Sequence, residues 1–143
     1  MRYLIIKKII AKYRKFALCI YRRKFLFYAL FREGQTEIGR DISISQPVKI
    51  VGKGRVSIGD GVCLGYDTSP QLRLSEVYIE ARGEESTIEI GRNVFIGANV
   101  TILQGVEIGD NSVIGAGCLI SQNVEKNKIV RANAPIIETL NID

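Results

Sequence analysis

From Ile90 the chain reads IGRNVF (90–95), IGANVT (96–101), ILQGVE (102–107), IGDNSV (108–113), IGAGCL (114–119) and ISQNVE (120–125), six six-residue blocks without insertion or deletion. Each block opens with isoleucine, and its fifth place is small or β-branched: Val94, Val100, Val106, Ser112, Cys118 and Val124. Glycine holds the second place in four blocks, at Gly91, Gly97, Gly109 and Gly115. A helix cannot use this period, because six steps of about 100° bring the next isoleucine round by roughly 240°, off the face of the first. Strands can, since six is a multiple of two and the first and fifth places then share a face. Glycine is expected to let the chain bend between short extended segments. If three blocks close one turn, Ile90 stacks under Ile108, Ile96 under Ile114 and Ile102 under Ile120, about 4.8 Å apart as in neighbouring strands.

Working outward from this core, the pattern loosens. Ile38, Ile44 and Ile50 keep the six-residue step, GKGR (52–55) adds two residues, and Ile58 and Leu64 resume it. The stretch 66–76 breaks the period, 77–82 alternates like a strand, GEES (83–86) reads as a turn, and Ile88 re-enters the coil. Irregular excursions of this kind are where solenoids carry functional loops, and equally where they carry plain surface loops.

These blocks resemble the hexapeptide-repeat acyltransferases, whose motif is an aliphatic residue, a glycine, two variable residues, a small residue and another variable one. The resemblance is strongest over 88–130 and extends with interruptions over 38–135. It implies an all-β solenoid, a left-handed parallel β-helix of triangular section. That handedness comes from the resemblance alone, since the general rule for parallel crossovers is right-handed. It further implies a homotrimer that moves an acyl group from a coenzyme A or carrier-protein thioester to a hydroxyl or amine in a groove between subunits. In such a groove the pantetheine arm meets backbone amides at small residues, which here correspond to Gly97, Ala98, Gly115, Ala116, Gly117 and Ser121. The family's usual Thr-Lys-Asp in the last coil has become Ser121, Gln122, Asn123, so the phosphate contact falls to Lys126, Lys128 and Arg131. Glycines are also what tight corners need, whatever they bind.

The chain of 143 residues contains no histidine, whereas the typical family member deprotonates its acceptor with one. A homotrimer brings only copies of the same sequence, so no neighbour supplies it. Three readings stay open. A carboxylate serves as base, with Asp67, Glu76, Glu80, Glu84 and Glu85 as candidates; or proximity and an ordered water suffice; or the chain is a non-catalytic scaffold that binds membrane and a partner. Carbonic anhydrases on this coil hold zinc with three histidines, so that activity is excluded, and no metal is expected. Cys19, Cys63 and Cys118 are odd in number and widely spaced, neither a disulfide framework nor a metal spacing, and fit a reducing cytoplasm.

Ahead of the coil lies a different object. Residues 1–32 hold ten Lys/Arg and no acid, together with eight of the eleven aromatics, while the remainder holds ten basic and fifteen acidic groups. The expected division is a basic amphipathic helical arm over 1–33 and a hexapeptide-repeat β-helix domain with a short C-terminal tail over 34–143. Within the arm, Ile6, Ile9, Ile10, Tyr13, Phe16, Ala17 and Ile20 follow three-and-four spacing. Its longest uncharged runs, 16–21 and 25–31, are too short for a signal core or a spanning helix. Such an arm suits an anionic bilayer surface, at about 1 kcal/mol per nearby Lys or Arg, or else packs its apolar face on the coil. Nucleic acid is not expected, because no groove-reading motif accompanies the charge.

Resemblance to the small sugar O-acetyltransferases of this family implies acetyl transfer from acetyl-CoA, as donor substrate, to a saccharide hydroxyl in surface-polysaccharide synthesis. The acceptor would be free or lipid-linked, and the location cytoplasmic, at the inner face of the cell membrane.

Overall fold

A computed structural model describes residues 19, 20, 25, 32, 34–65 and 76–133. Except for residues 19, 20, 25 and 32, the expected helical arm lies outside the described residues, as do Asp67 and the tail from 134.

Among the described residues, thirteen short strands follow one another round a three-sided coil: β1 (Thr36–Ile38), β2 (Ser43–Ile44), β3 (Val48–Val51), β4 (Arg55–Ile58), β5 (Cys63–Leu64), β6 (Val77–Glu80), β7 (Thr87–Ile90), β8 (Phe95–Ile96), β9 (Thr101–Ile102), β10 (Glu107–Ile108), β11 (Val113–Ile114), β12 (Leu119–Ile120) and β13 (Ile129–Val130). Up to β12 every third strand joins the same parallel sheet, and β13 joins that of β11. The first sheet is β1-β4-β7-β10, the second β2-β5-β8-β11-β13 and the third β3-β6-β9-β12. Val124 extends the first sheet by a parallel bridge to Ile108.

The register expected from the period is the register observed. Ile108 lies over Ile90, Ile114 over Ile96 and Ile120 over Ile102. The irregular first coils join the same ladders, with Ile38, Ile58 and Ile90 aligned in one and Ile50, Ile79 and Ile102 in another. The two added residues of 52–55 and the turn at 83–86 therefore sit at the corner between the third and first sheets and leave the ladders intact. Ser86 N–H donates to the Gly83 carbonyl and closes that turn. First-place and fifth-place side chains together fill the interior: Ile96, Ile102, Ile108, Ile114, Val94 and Val100 are fully buried. At about 1.5–3 kcal/mol for each large aliphatic side chain taken from water, these columns are the main stabilising term. Cys118, at a fifth place, is buried as a small core residue.

The expected role of the second-place glycines is corrected. The bends are made at the fourth place, where Asn93, Asn99, Gly105, Asn111 and Gly117 all have positive φ between 54° and 76°. Asparagine enters that left-handed region more readily than other side chains, which is why it alternates there with glycine. The second-place glycines instead permit close stacking: a Cβ on Gly109 would lie 2.4 Å from Lys126 N, and one on Gly97 2.7 Å from Ala116 N.

The two ends of the coil differ. At the first coil, Phe25 of the arm is buried beside Ile42 and Ile44, and Arg32 donates from Nη2 to the Gly54 carbonyl. The arm thus contributes an aromatic plug to the hydrophobic core. Among the described residues, the far end leaves a hollow lined by Ile120, Val124 and Val130, with Leu119 and Ile129 exposed nearby. Among the described residues no helix is long and apolar enough to cross a membrane.

Candidate functional site

Each corner of the triangle stacks one residue per coil, so corners have characters of their own. Between the first and second sheets the third-place column runs Arg40, Asp60, Arg92, Asp110, Lys126, alternating in sign. Asp60 Oδ1 accepts from Arg40 N–H at 2.6 Å and Asp110 Oδ1 from Arg92 N–H at 2.7 Å. Their second oxygens meet the Arg40 and Arg92 guanidinium groups at 3.5 and 3.3 Å. Both carboxyls are held below the ordinary aspartate range, chiefly by the backbone donor and then by the arginine charges. Beside this column, Asn93 Nδ2 donates to Asn111 Oδ1 at 3.3 Å.

The corner between the second and third sheets is smooth. Here the structure brings together Gly97, Ala98, Gly115, Ala116, Gly117 and Arg131. Gly117 N–H donates to the Ala98 carbonyl and Gly97 N–H to that of Ile114, both at 2.8 Å, and Gly115 N–H bonds Val130. Arg131 Cα lies 3.6 Å from the position of a Gly115 Cβ. The remaining expected residues lie elsewhere. Ser121 is on the corner leading to the first sheet, while Lys126 and Lys128 follow Val124 on the charged corner. In one chain the expected site is thus spread over all three corners of the coil.

Lys126 and Lys128 instead rim an open groove of about 920 Å³ over the first sheet. Its floor is the outward column of that sheet: Ser57, Glu89 and Glu107, in register on successive strands, and Asn123 above them. Asn123 Oδ1 accepts from Glu107 N–H at 2.9 Å, which pins the amide over the glutamate and leaves Nδ2 to donate. Lys128 Nζ also reaches Glu125 at 3.4 Å. Glu89 and Glu107 are not among the carboxylates expected from the sequence, although each precedes a first-place isoleucine and so points outward on a shared face.

Of the carboxylates singled out from the sequence, Glu76, Glu80, Glu84 and Glu85 do not line this groove. Glu80 is paired with Arg82, and Glu84 with Lys53 at 3.5 Å; Glu76 and Glu85 are exposed. Burial pushes the Cys63 and Cys118 thiols up, which disfavours the thiolate. Among the described residues, no group of three or more His, Cys, Asp or Glu is placed to hold a metal ion.

The family model for bacterial transferase hexapeptide (six repeats) matches residues 87–122. Two solved structures are similar over most of this chain. One is serine acetyltransferase isoform 3 from Entamoeba histolytica in complex with cysteine, with 23% identity, coverage of 75% of this chain and 36% of that one, and a TM-score of 0.39. The other is Neisseria gonorrhoeae serine acetyltransferase in complex with serine, with 22% identity, coverage of 81% and 49%, and a TM-score of 0.36. The chain thus spans less than half the length of either. Curated protein sequences give no match.

Proposed function

With residues 87–122 a run of bacterial transferase hexapeptide repeats in a three-sheet parallel coil, we propose that the chain is an acyltransferase. It takes acetyl from acetyl-CoA and delivers it to a saccharide hydroxyl in surface-polysaccharide synthesis, working as a homotrimer. The observation that carries this reading is the division of the site. A face of a triangular coil lies opposite a corner, so the groove over the first sheet and the smooth corner between the other two cannot close on one ligand within one chain. Copies arranged face to corner in a closed ring can do so, each ring contact repeating the last.

In that arrangement Gly97, Ala98, Gly115, Ala116 and Gly117 offer a backbone track without side chains to obstruct a pantetheine arm. Arg131 of the same corner, with Lys126 and Lys128 on the opposing groove, supplies positive charge for nucleotide phosphates. The groove volume of about 920 Å³ falls in the range of small-molecule and cofactor sites. Isothermal titration with acetyl-CoA, thiol release on candidate sugars and a solution mass test the reading together. Binding, release and three times the chain mass are expected; no binding and no release defeat it.

A second reading is favoured by the absence of histidine from the chain: a non-catalytic hexapeptide scaffold that binds a partner at the membrane. Acetyl-CoA binding without thiol release from any acceptor supports it.

The arm completes the proposal. Phe25 caps the first coil, while the ten positive charges of residues 1–32 suit the anionic inner face of the cell membrane, where a lipid-linked acceptor would be met. Deleting residues 1–32 should abolish flotation with anionic liposomes; unchanged flotation makes the arm purely structural.

A further inference from the structure

An acyltransferase without histidine needs another proton acceptor, and the groove holds one in the required place. The outward column of the first sheet runs Ser57, Glu89, Glu107, Asn123 from lower coils to upper, with Lys126 and Lys128 at its upper rim. The upper end, carrying a pinned amide whose Nδ2 can donate, fits the thioester carbonyl of an acyl donor. The lower end, a hydroxyl and a carboxylate, fits the hydroxyls of a sugar, which pair readily with carboxylates and serine. Glu107 stands between the two ends, one strand spacing of about 4.8 Å from each neighbour. A base must reach the acceptor hydroxyl while that hydroxyl reaches the thioester carbon, and this position meets both conditions.

We propose that Glu107 is the general base of the transfer, with Glu89 and Ser57 holding the acceptor and Asn123 Nδ2 polarising the thioester carbonyl. The assignment rests on the acyltransferase reading above. The Glu107 carboxylate takes the proton of the acceptor hydroxyl as its oxygen attacks the carbonyl carbon. The C–O bond forms, the C–S bond breaks, and the leaving thiolate recovers the proton from the Glu107 carboxylic acid. The products are the ester and free coenzyme A thiol, and the carboxylate is regenerated without any change of oxidation state. Glu107→Gln keeps the side chain's shape and removes its basicity, so the backbone bond to Asn123 survives.

The test uses the full chain, acetyl-CoA as donor and a fixed panel of galactose, mannose and N-acetylglucosamine as acceptors. Glu107→Gln should lower kcat by 100-fold or more, the usual contribution of a positioned base, while acetyl-CoA affinity by titration stays within twofold and thermal unfolding is unchanged. Glu107→Asp should recover part of the rate. Glu85→Gln should match the wild type. A Glu107→Gln variant that keeps more than half the wild-type kcat, or loses coenzyme binding along with its rate, overturns the assignment while the wild-type activity still supports an acyltransferase. A wild-type chain that binds acetyl-CoA and releases no thiol to any acceptor overturns both.

Discussion

Two corners of the same coil have been put to opposite uses. At one, Arg40, Asp60, Arg92, Asp110 and Lys126 alternate in sign, and the pairs Arg40–Asp60 and Arg92–Asp110 each join two coils through a backbone N–H bond and an ion pair. At the other, Gly97, Ala98, Gly115, Ala116 and Gly117 stack with only backbone bonds between coils. Both corners need the same bend and the same close approach, so the backbone does not set them apart. What differs is whether the third-place side chain faces its own kind. The first corner satisfies its charges internally; the second leaves backbone bare, which is what a ligand arm or a neighbouring copy requires.

Perturbing the interior that both corners share should have the largest effect. Ile102 is fully buried with Ile79 below and Ile120 above, so Ile102→Ala should cost about 2–5 kcal/mol through lost burial and the cavity left behind. Denaturant titration checks this, with a shifted midpoint and a nearly constant slope.

Next in size are the close approaches, which test whether the corners are equivalent in backbone. Gly109→Val on the charged corner and Gly97→Val on the smooth one both press a side chain on the next coil, and each should cost about 1–3 kcal/mol. A much smaller loss at Gly97 would show the smooth corner to be looser than its bonding implies. Asn111→Ala, at φ 58°, should cost about 1–2 kcal/mol, because a β-carbon without a compensating amide is disfavoured in the left-handed region.

The smallest effect separates the corners by pH. Folding lowers the Asp60 and Asp110 pKa values, so the charged column adds stability above the unfolded aspartate value and loses it as pH falls through the folded values. Thermal midpoints measured between pH 6 and pH 3 should therefore fall less steeply in an Asp60→Asn/Asp110→Asn double variant than in the wild type; parallel curves would mean that the column is screened out. Both carboxylates lie at the surface, so the difference should also shrink in high salt.

Much of this was legible in the residues. The uninterrupted blocks from Ile90 disclosed the inward isoleucines, and with the triangular section implied by the family resemblance they gave the pairing of Ile90 with Ile108. The earlier coils were harder, since the insertions at 52–55, 66–76 and 83–86 hide which residue stacks on which. The ladder from Arg40 to Lys126 becomes visible only after that register is known. Fourth-place asparagines passed unread, as they looked like variable positions. Of the candidate site, the small residues at 97–98 and 115–117 are expected from their match to the family's repeat places, whereas nothing in the sequence singles out Glu89 and Glu107. A charge on a strand's outer face looks the same in one dimension whether it meets solvent or a groove.

A site shared between copies is the claim on which the functional account stands, and subunit complementation tests it most directly. Glu107→Arg obstructs the groove face and Ala116→Trp obstructs the smooth corner; each variant alone should release no thiol from acetyl-CoA. Co-expressed in equal amounts, they should regain about a quarter of wild-type activity, the share of ring contacts with both halves intact. Mixed assemblies as inactive as their parents would contradict the shared groove.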